Sequence, residues 1–364
     1  MTWSILKKTF LILLVIVATF AYWELGLRLI GKTAFPLLRT DPEVGSIHVK
    51  NFDGYAWDAL SARKNYIHTN SIGYVGDDVS LAKPTSTIRI AVLGDSGTAA
   101  LQVDYYKNFT HLLEDGLNTS NVCGKQFEVM NFGVGSAGTF IEYQTYKKKI
   151  APFHPDYVLV FFTGNDYDDN ALKSGFDLEH YADERRSVGL KQFLLQFELP
   201  KFIFRKLIAN KTFIGVLSAV GILEGSTTLA PISGVSAETA SATSTSHYYT
   251  DTFRILSRFN ELVTASGSKF GVVIFPGESV DYEHKGQWRS DRGITSLIGY
   301  LASSSIPYFN PSDQLADVKS AYGACITFDC SSHFNEAGHR AMAKILYGYV
   351  KDELVKDNPV CAKR

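Results

Sequence analysis

The chain has 364 residues, 45% of them apolar, with a net charge of −1 and four cysteines. That length allows one large domain or two modest ones, with a substantial core either way. Evenly mixed charge leaves no basic field for nucleic acid. Cys123, Cys325, Cys330 and Cys361 form no Cys-x-x-Cys pair, which speaks against a zinc site.

At the N-terminus, Lys7 and Lys8 precede an unbroken apolar run from Phe10 to Trp23, which resumes after Glu24 with Leu25, Leu27, Leu29 and Ile30. Thr9 to Ile30 would make about 33 Å of helix, enough to cross a bilayer. Glu24 and Arg28 stand four apart near the far interface, where they can pair and snorkel. The lysines on the short side predict a cytoplasmic N-terminus, with everything after Gly31 on the extracytoplasmic, periplasmic or extracellular side. The expectation is an uncleaved single-pass signal-anchor over residues 1–31. A cleaved signal peptide is the competing reading, with Thr19-Phe20-Ala21 as its small-residue site. Disulfides are permitted in either case.

Residues 32–86 form an extended N-terminal region in which short strands and turns are expected, for example around Asn70-Ser71-Ile72-Gly73. From Thr87 the pattern alternates. Strand-like runs occur at Ile88–Leu93, Phe127–Phe132, Tyr157–Thr163 and Phe270–Phe275, with a shorter one at Ile306–Phe309. Helical stretches lie between and after them: Ala99–Leu117, Thr139–Lys149, Thr250–Ala265, Gly293–Ala302 and Glu336–Leu354. This alternation predicts an α/β fold with a central parallel sheet covered on both faces, over residues 87–355. An insertion at about 170–250 interrupts it. There a dense apolar segment from Phe193 to Ile208 reads as packed helices, a cap or a membrane-facing surface. Gly225 to Ser246, rich in Ser, Thr, Ala and Gly, reads as a flexible linker.

Three strand ends carry candidate chemistry. The first is Gly94-Asp95-Ser96, where the serine is either a nucleophile or an ordinary N-cap. The second runs from Asn131 to Thr139 with glycines at 133, 135 and 138, which let backbone approach a ligand. The third is Gly164-Asn165-Asp166. In a parallel sheet these ends share one edge, so a nucleophile and oxyanion donors would converge there. The base is His333 in Asp329-Cys330-Ser331-Ser332-His333, ahead of the last helix and its cap Asn335. Asp329 in the same loop could orient it. His339 reads as a surface or packing residue, and Asp95 and Asp166 as structural.

In order and position, these four segments resemble the SGNH superfamily of GDSL-type hydrolases, in particular its exported, membrane-anchored bacterial branch. The resemblance implies a three-layer α/β/α sandwich of flavodoxin-like topology and a serine esterase mechanism without metal or cofactor. Ser96 would be the nucleophile, His333 the base and Asp329 the acid. The oxyanion hole would be the Ser96 N–H, the Gly135 N–H and the Asn165 side chain. The implied substrate is an ester-linked acyl group on a cell-surface glycan or lipid. Acyl transfer on the same site, or a non-catalytic glycan-binding role, stands as the alternative. The chain departs from the family pattern in two places. Gly97 stands where a bulky apolar residue usually follows the serine, and Asp329 lies four residues before the histidine rather than two or three. Four cysteines allow three pairings; a Cys325–Cys330 disulfide would bend that loop so that Asp329 reaches, and otherwise a backbone carbonyl would orient His333.

Overall fold

The computed structural model describes residues 3–30, 37–58, 60–171, 199, 242–275, 293–330 and 333–357. The chain divides into two units, Met1–Phe35 with Glu184–Ala240, and Pro36–Asp183 with Ser241–Arg364.

In the first unit, α1 (Trp3–Ile30) contains a stretch, Lys7–Leu27, of mean hydropathy 2.2, long and apolar enough to cross a membrane. A signal sequence passes the same test. Glu24 accepts a hydrogen bond from the Leu199 backbone N–H at 2.9 Å. The apolar segment 193–208 otherwise lies outside the described residues.

The second unit opens with two antiparallel hairpins, β1 (Leu38–Asp41) with β2 (Gly45–His48), and β3 (Asp53–Asp58) with β4 (Arg63–His68). The predicted turn follows, with Gly73 at φ +91°, where a side chain would be strained. Then comes the sheet: β5 (Thr87–Gly94), β6 (Gln126–Gly133), β7 (Tyr157–Phe162), β8 (Lys269–Ile274) and β9 (Tyr308–Phe309). All pairings are parallel and the order is β6-β5-β7-β8-β9. This is the doubly wound order in which the strand sequence reverses beside the first strand, and ligands bind outside the carboxyl ends at that point. The ends of β5 and β7, which carry Ser96 and Asn165, flank that crevice.

The side-chain period of two divides β5 between two cores. Ala91 and Leu93 pack on one face with α4 (Thr139–Thr145), α6 (Ala242–Ala265) and α7 (Ile294–Ser303). Ile90 and Val92 pack on the other with α3 (Phe109–Thr119), α8 (Ser312–Tyr322) and α9 (Glu336–Asp357). Helices therefore cover both faces, which gives the three-layer α/β/α sandwich. Arg89 is the exception in β5. Its guanidinium is fully buried and donates to Glu128 at 2.5 Å and to the carbonyls of Phe153 and Ser80 at 2.7 and 2.6 Å.

Two local expectations need correction. The stretch Ala99–Leu117 is not one helix. It begins as α2 (Ser96–Ala99), stops where Ala100 turns left-handed, and resumes as α3 after the Asn108 side chain caps it. The expected linker is helical at its end, since residues 242–246 begin α6, and residues 225–241 lie outside the described ones. Helix α5 (Asp166–Ala171) follows β7 directly.

Candidate active site

β5 delivers Ser96 to the sheet edge, and Asp95 fixes the turn. Its Oδ1 accepts from the Gly97 N–H at 2.8 Å, while its Oδ2 accepts from the Asn165 amide at 3.1 Å. Gly97 has a neighbour that explains the missing bulk: a Cβ there would sit 2.7 Å from the Phe275 ring. An aromatic side chain from the end of β8 fills the space next to the serine.

The glycine loop is pressed against the same turn. A Cβ on Gly133 would lie 2.3 Å from the Ala99 nitrogen, so only glycine permits the approach. Asn131 locks the two together: its Oδ1 accepts from the Gly133 N–H and its Nδ2 donates to the Thr98 carbonyl, each at 2.8 Å. His48 from β2 holds the Gly133 carbonyl at 3.1 Å, with Nε2 as donor. Burial lowers the His48 pKa to about 4, so the ring is neutral near pH 7. Past this clamp the Gly135 backbone faces Ser96, its Cβ position 3.8 Å from the Ser96 Cβ.

At the end of β7, Asn165 is held by polar contacts. Its Oδ1 accepts from the Thr163 hydroxyl at 2.6 Å, and its amide donates to Asp95 and to Asp169 Oδ2 at 3.2 Å. Behind it lie two buried carboxyls, Glu142 on α4 and Asp166 on α5. Burial raises both pKa values well above the ordinary carboxylate range. Asp95 and Asp169 add to this for Glu142; Glu142, Asp95 and Asp169 do so for Asp166. The Glu142 oxygens have no hydrogen-bond partner among the described residues.

The sign of the pH effect follows. Between its ordinary and its raised pKa, the folded state keeps a proton that the unfolded state has lost, so stability falls as pH rises through that window. Glu142→Gln is therefore expected to gain stability relative to the parent as pH rises from 5 toward 8. The gain is about 1.4 kcal/mol per pH unit while the proton difference lasts. Thermal midpoints measured at several pH values read this directly. Parallel curves for the two proteins would mean that Glu142 is ionised throughout.

The histidine arrives on a folded-back loop. Phe328 N–H donates to the His333 carbonyl at 2.8 Å, Thr327 and Phe334 form an antiparallel bridge, and Asn335 Nδ2 donates to the Cys325 carbonyl at 2.8 Å. The Cys325–Cys330 disulfide closes the loop. Asn335 Oδ1 then caps α9, accepting from Ala337 N–H at 2.9 Å. With the loop so held, His333 Nε2 lies 2.8 Å from Ser96 Oγ. Asp329 sits in the helical turn Phe328–Cys330, and its side chain is outside the described ones. His339 is a buried packing residue stacked on Phe109 at 5.9 Å, its pKa driven down to about 3 by burial.

Of the residues named from sequence, Ser96 and His333 are thus in hydrogen-bond contact, Gly135 faces the serine, and Asn165 is joined to it through Asp95. Sequence reasoning missed His48, Glu142 and Asp169. Only Glu142, a lone carboxylate in the apolar start of α4, left a local trace. No group of three or more His, Cys, Asp or Glu side chains that could hold a metal occurs among the described residues.

Comparison with curated proteins finds no match. Among solved structures the chain is similar to an acetyl xylan esterase, with 13% identity, 72% of this chain and 100% of that one covered, and a TM-score of 0.41. It is likewise similar to the psychrotrophic esterase EstA from Pseudoalteromonas sp. (13%, 73% and 98% covered, TM-score 0.40). A two-domain esterase active on acetylated mannans is similar over 73% of this chain and 49% of its own length, with 12% identity and a TM-score of 0.40. Residues 90–346 match the family of GDSL-like lipases/acylhydrolases. The chain belongs to that family, whose members hydrolyse ester bonds.

Proposed function

We propose that the protein is an exported serine esterase that removes ester-linked acyl groups from a cell-surface glycan. Residues 1–31 act as its membrane anchor, and the hydrolase domain spans 87–355 with the insertion at 170–250. The observation that carries this reading is the 2.8 Å contact between His333 Nε2 and Ser96 Oγ. Ser96 Oγ attacks the ester carbonyl carbon while His333 takes its proton, and the protonated imidazole then returns that proton to the departing alcohol. Water, deprotonated by His333, cleaves the acyl-enzyme and regenerates the serine with release of the acid.

The negative charge that develops on the carbonyl oxygen is taken by the Ser96 and Gly135 N–H groups and by the Asn165 amide. Asn165 turns one hydrogen from Asp169, the more exposed of its two carboxylate partners, toward that oxygen. Asp329 is the acid that orients His333. The backbone bond from neighbouring Phe328 to His333 supports this role. Export is supported by the apolar span Lys7–Leu27 with its N-terminal lysines, and by the Cys325–Cys330 disulfide, a bond that persists in oxidising compartments.

Labelling of the detergent-solubilised protein with a fluorophosphonate tests the reading. Wild type is expected to take up the probe and Ser96→Ala none. Equal labelling of the two would sink the assignment of the nucleophile.

A further inference from the structure

The outer face of the β3–β4 hairpin is unusual for exposed sheet surface. Register pairs Asp53 with His68, Tyr55 with Tyr66, and Trp57 with Lys64, so these six side chains share one face. The opposite face points inward, with Ala56, Asn65 and Ile67 buried. Aromatic rings continue from this face onto the segment before α3. Tyr55 meets Tyr66 at 5.3 Å between centroids, Tyr66 meets Tyr105 at 5.9 Å, and Tyr105 meets Tyr106 at 5.8 Å. The most exposed rings are Tyr55 at 68% and Tyr106 at 43%. A run of tilted and edge-on tyrosines, Tyr55 and Tyr106 exposed and Tyr66 and Tyr105 half-buried, leaves apolar ring area uncovered, at a cost that the fold does not require.

The polar groups between the rings are already arranged. Asp53 accepts from the Tyr66 hydroxyl at 2.5 Å and contacts His68 Nδ1 at 3.1 Å, and Asp104 accepts from the Tyr106 hydroxyl at 3.1 Å. Tyr105 and His111 also line a cavity of about 180 Å³, together with Ser71, Asp77, Asp78 and Glu114. That is room for about six waters. Exposed ring area alternating with carboxylate acceptors, beside a small cavity lined by both polar and apolar side chains such as Val75 and Met130, matches a molecule with apolar C–H faces and hydroxyls around its rim.

The platform is tied to the ester site by direct bonds. Asn65 Nδ2 donates to the Leu101 carbonyl at 3.1 Å and the Tyr66 N–H to Asp104 at 2.8 Å, both in the segment that follows Ser96–Ala99. Arg63 bonds Glu336 at 2.6 Å, three residues after His333. A ligand on the platform is therefore held in fixed register with the nucleophile and the base.

We propose that this tyrosine platform is a glycan subsite that binds neutral or amino-bearing sugar rings of the substrate chain. The inference rests on the esterase reading above and deepens it. Charge sets the class of ligand. Asp53, Asp77, Asp78, Asp104 and Asp115 outnumber Arg63, Lys64 and Lys107, so an anionic polymer or an anionic lipid surface is disfavoured.

The test is direct binding in a Ser96→Ala background, which does not depend on turnover. The probes are N-acetylglucosamine hexamer, its partly deacetylated form, acetylated xylo-oligosaccharide, polygalacturonate and vesicles containing phosphatidylserine. Tyr55→Ala/Tyr106→Ala is expected to weaken binding of at least one neutral or amino-bearing oligosaccharide about tenfold, from about 1 kcal/mol or less per ring. Tyr55→Phe/Tyr106→Phe is expected to keep most of the affinity, because the rings remain. The proposal is overturned if no oligosaccharide binds the parent, or if the alanine pair binds as well as the parent. Platform-dependent binding of the vesicles alone also overturns it, in favour of a membrane-facing surface. Wild type labelling no more than Ser96→Ala would sink the esterase reading without touching these binding results, so the two failures are distinguishable.

Discussion

Ser96→Ala and His333→Ala are each expected to lower kcat/KM for an activated ester by about 10⁴–10⁶, and the double variant by no more than either. On the proposed mechanism the two side chains act as one device. Without the imidazole at 2.8 Å the serine hydroxyl stays protonated, and without the serine the imidazole has no nucleophile to activate. The residual rate over water then comes from the oxyanion donors and from binding. Hydrolysis of p-nitrophenyl acetate by the four proteins of the cycle measures this. Additive losses would show that the pair does not work as a unit. Asp329→Ala in the same series reports on the acid: a loss approaching that of His333→Ala assigns it, and a loss under tenfold leaves the histidine to be oriented by another group.

Arg89→Ala is expected to destabilise the fold by about 3 kcal/mol, the cost of removing the buried partner from a charge-assisted pair whose carboxylate, Glu128, keeps 29% of its side chain exposed. For a domain of this size that lowers the thermal midpoint by roughly 10 °C. Arg89 carries no exposed surface, yet it gathers the Glu128 carboxylate and the carbonyls of Ser80 and Phe153. Truncation strands the buried Phe153 carbonyl and removes the donor of the other two, which keep some access to water. Replacing both charged partners, as in Arg89→Met with Glu128→Leu, is expected to recover part of the loss, since it removes a carboxylate along with its donor. Urea midpoints for the single and paired variants test this. A loss below 1 kcal/mol in Arg89→Ala would mean that water enters and takes over the bonds.

The sheet was legible because strands buried on both faces read as near-continuous apolar runs, and Ile88–Leu93, Arg89 aside, and Tyr157–Phe162 are such runs. The segment after Ser96 was not, because its apolar residues continue at helical spacing through a break made by the backbone of Ala100. Helix α8 escaped notice because its buried apolar contribution is Leu315, too little to set a period. In the site, Ser96 and His333 stand at element ends that local pattern can identify. His48 does not: its partner is the Gly133 carbonyl, and nothing near residue 48 encodes that meeting. Asp169 is likewise distinguished only by what β7 and α5 bring beside it.

Gly97 lies in α2 and Phe275 just after β8, positions that the sequence keeps far apart, yet they meet in one volume beside Ser96. In terms of inheritance they form a single trait. A leucine could enter at position 97 only alongside a smaller residue at 275, and a smaller residue at 275 alone would leave a void against the serine turn. A short signature read around the serine records half of this trait. The apolar wall of the site is written in two places, and the departure at Gly97 is completed by the ring of Phe275.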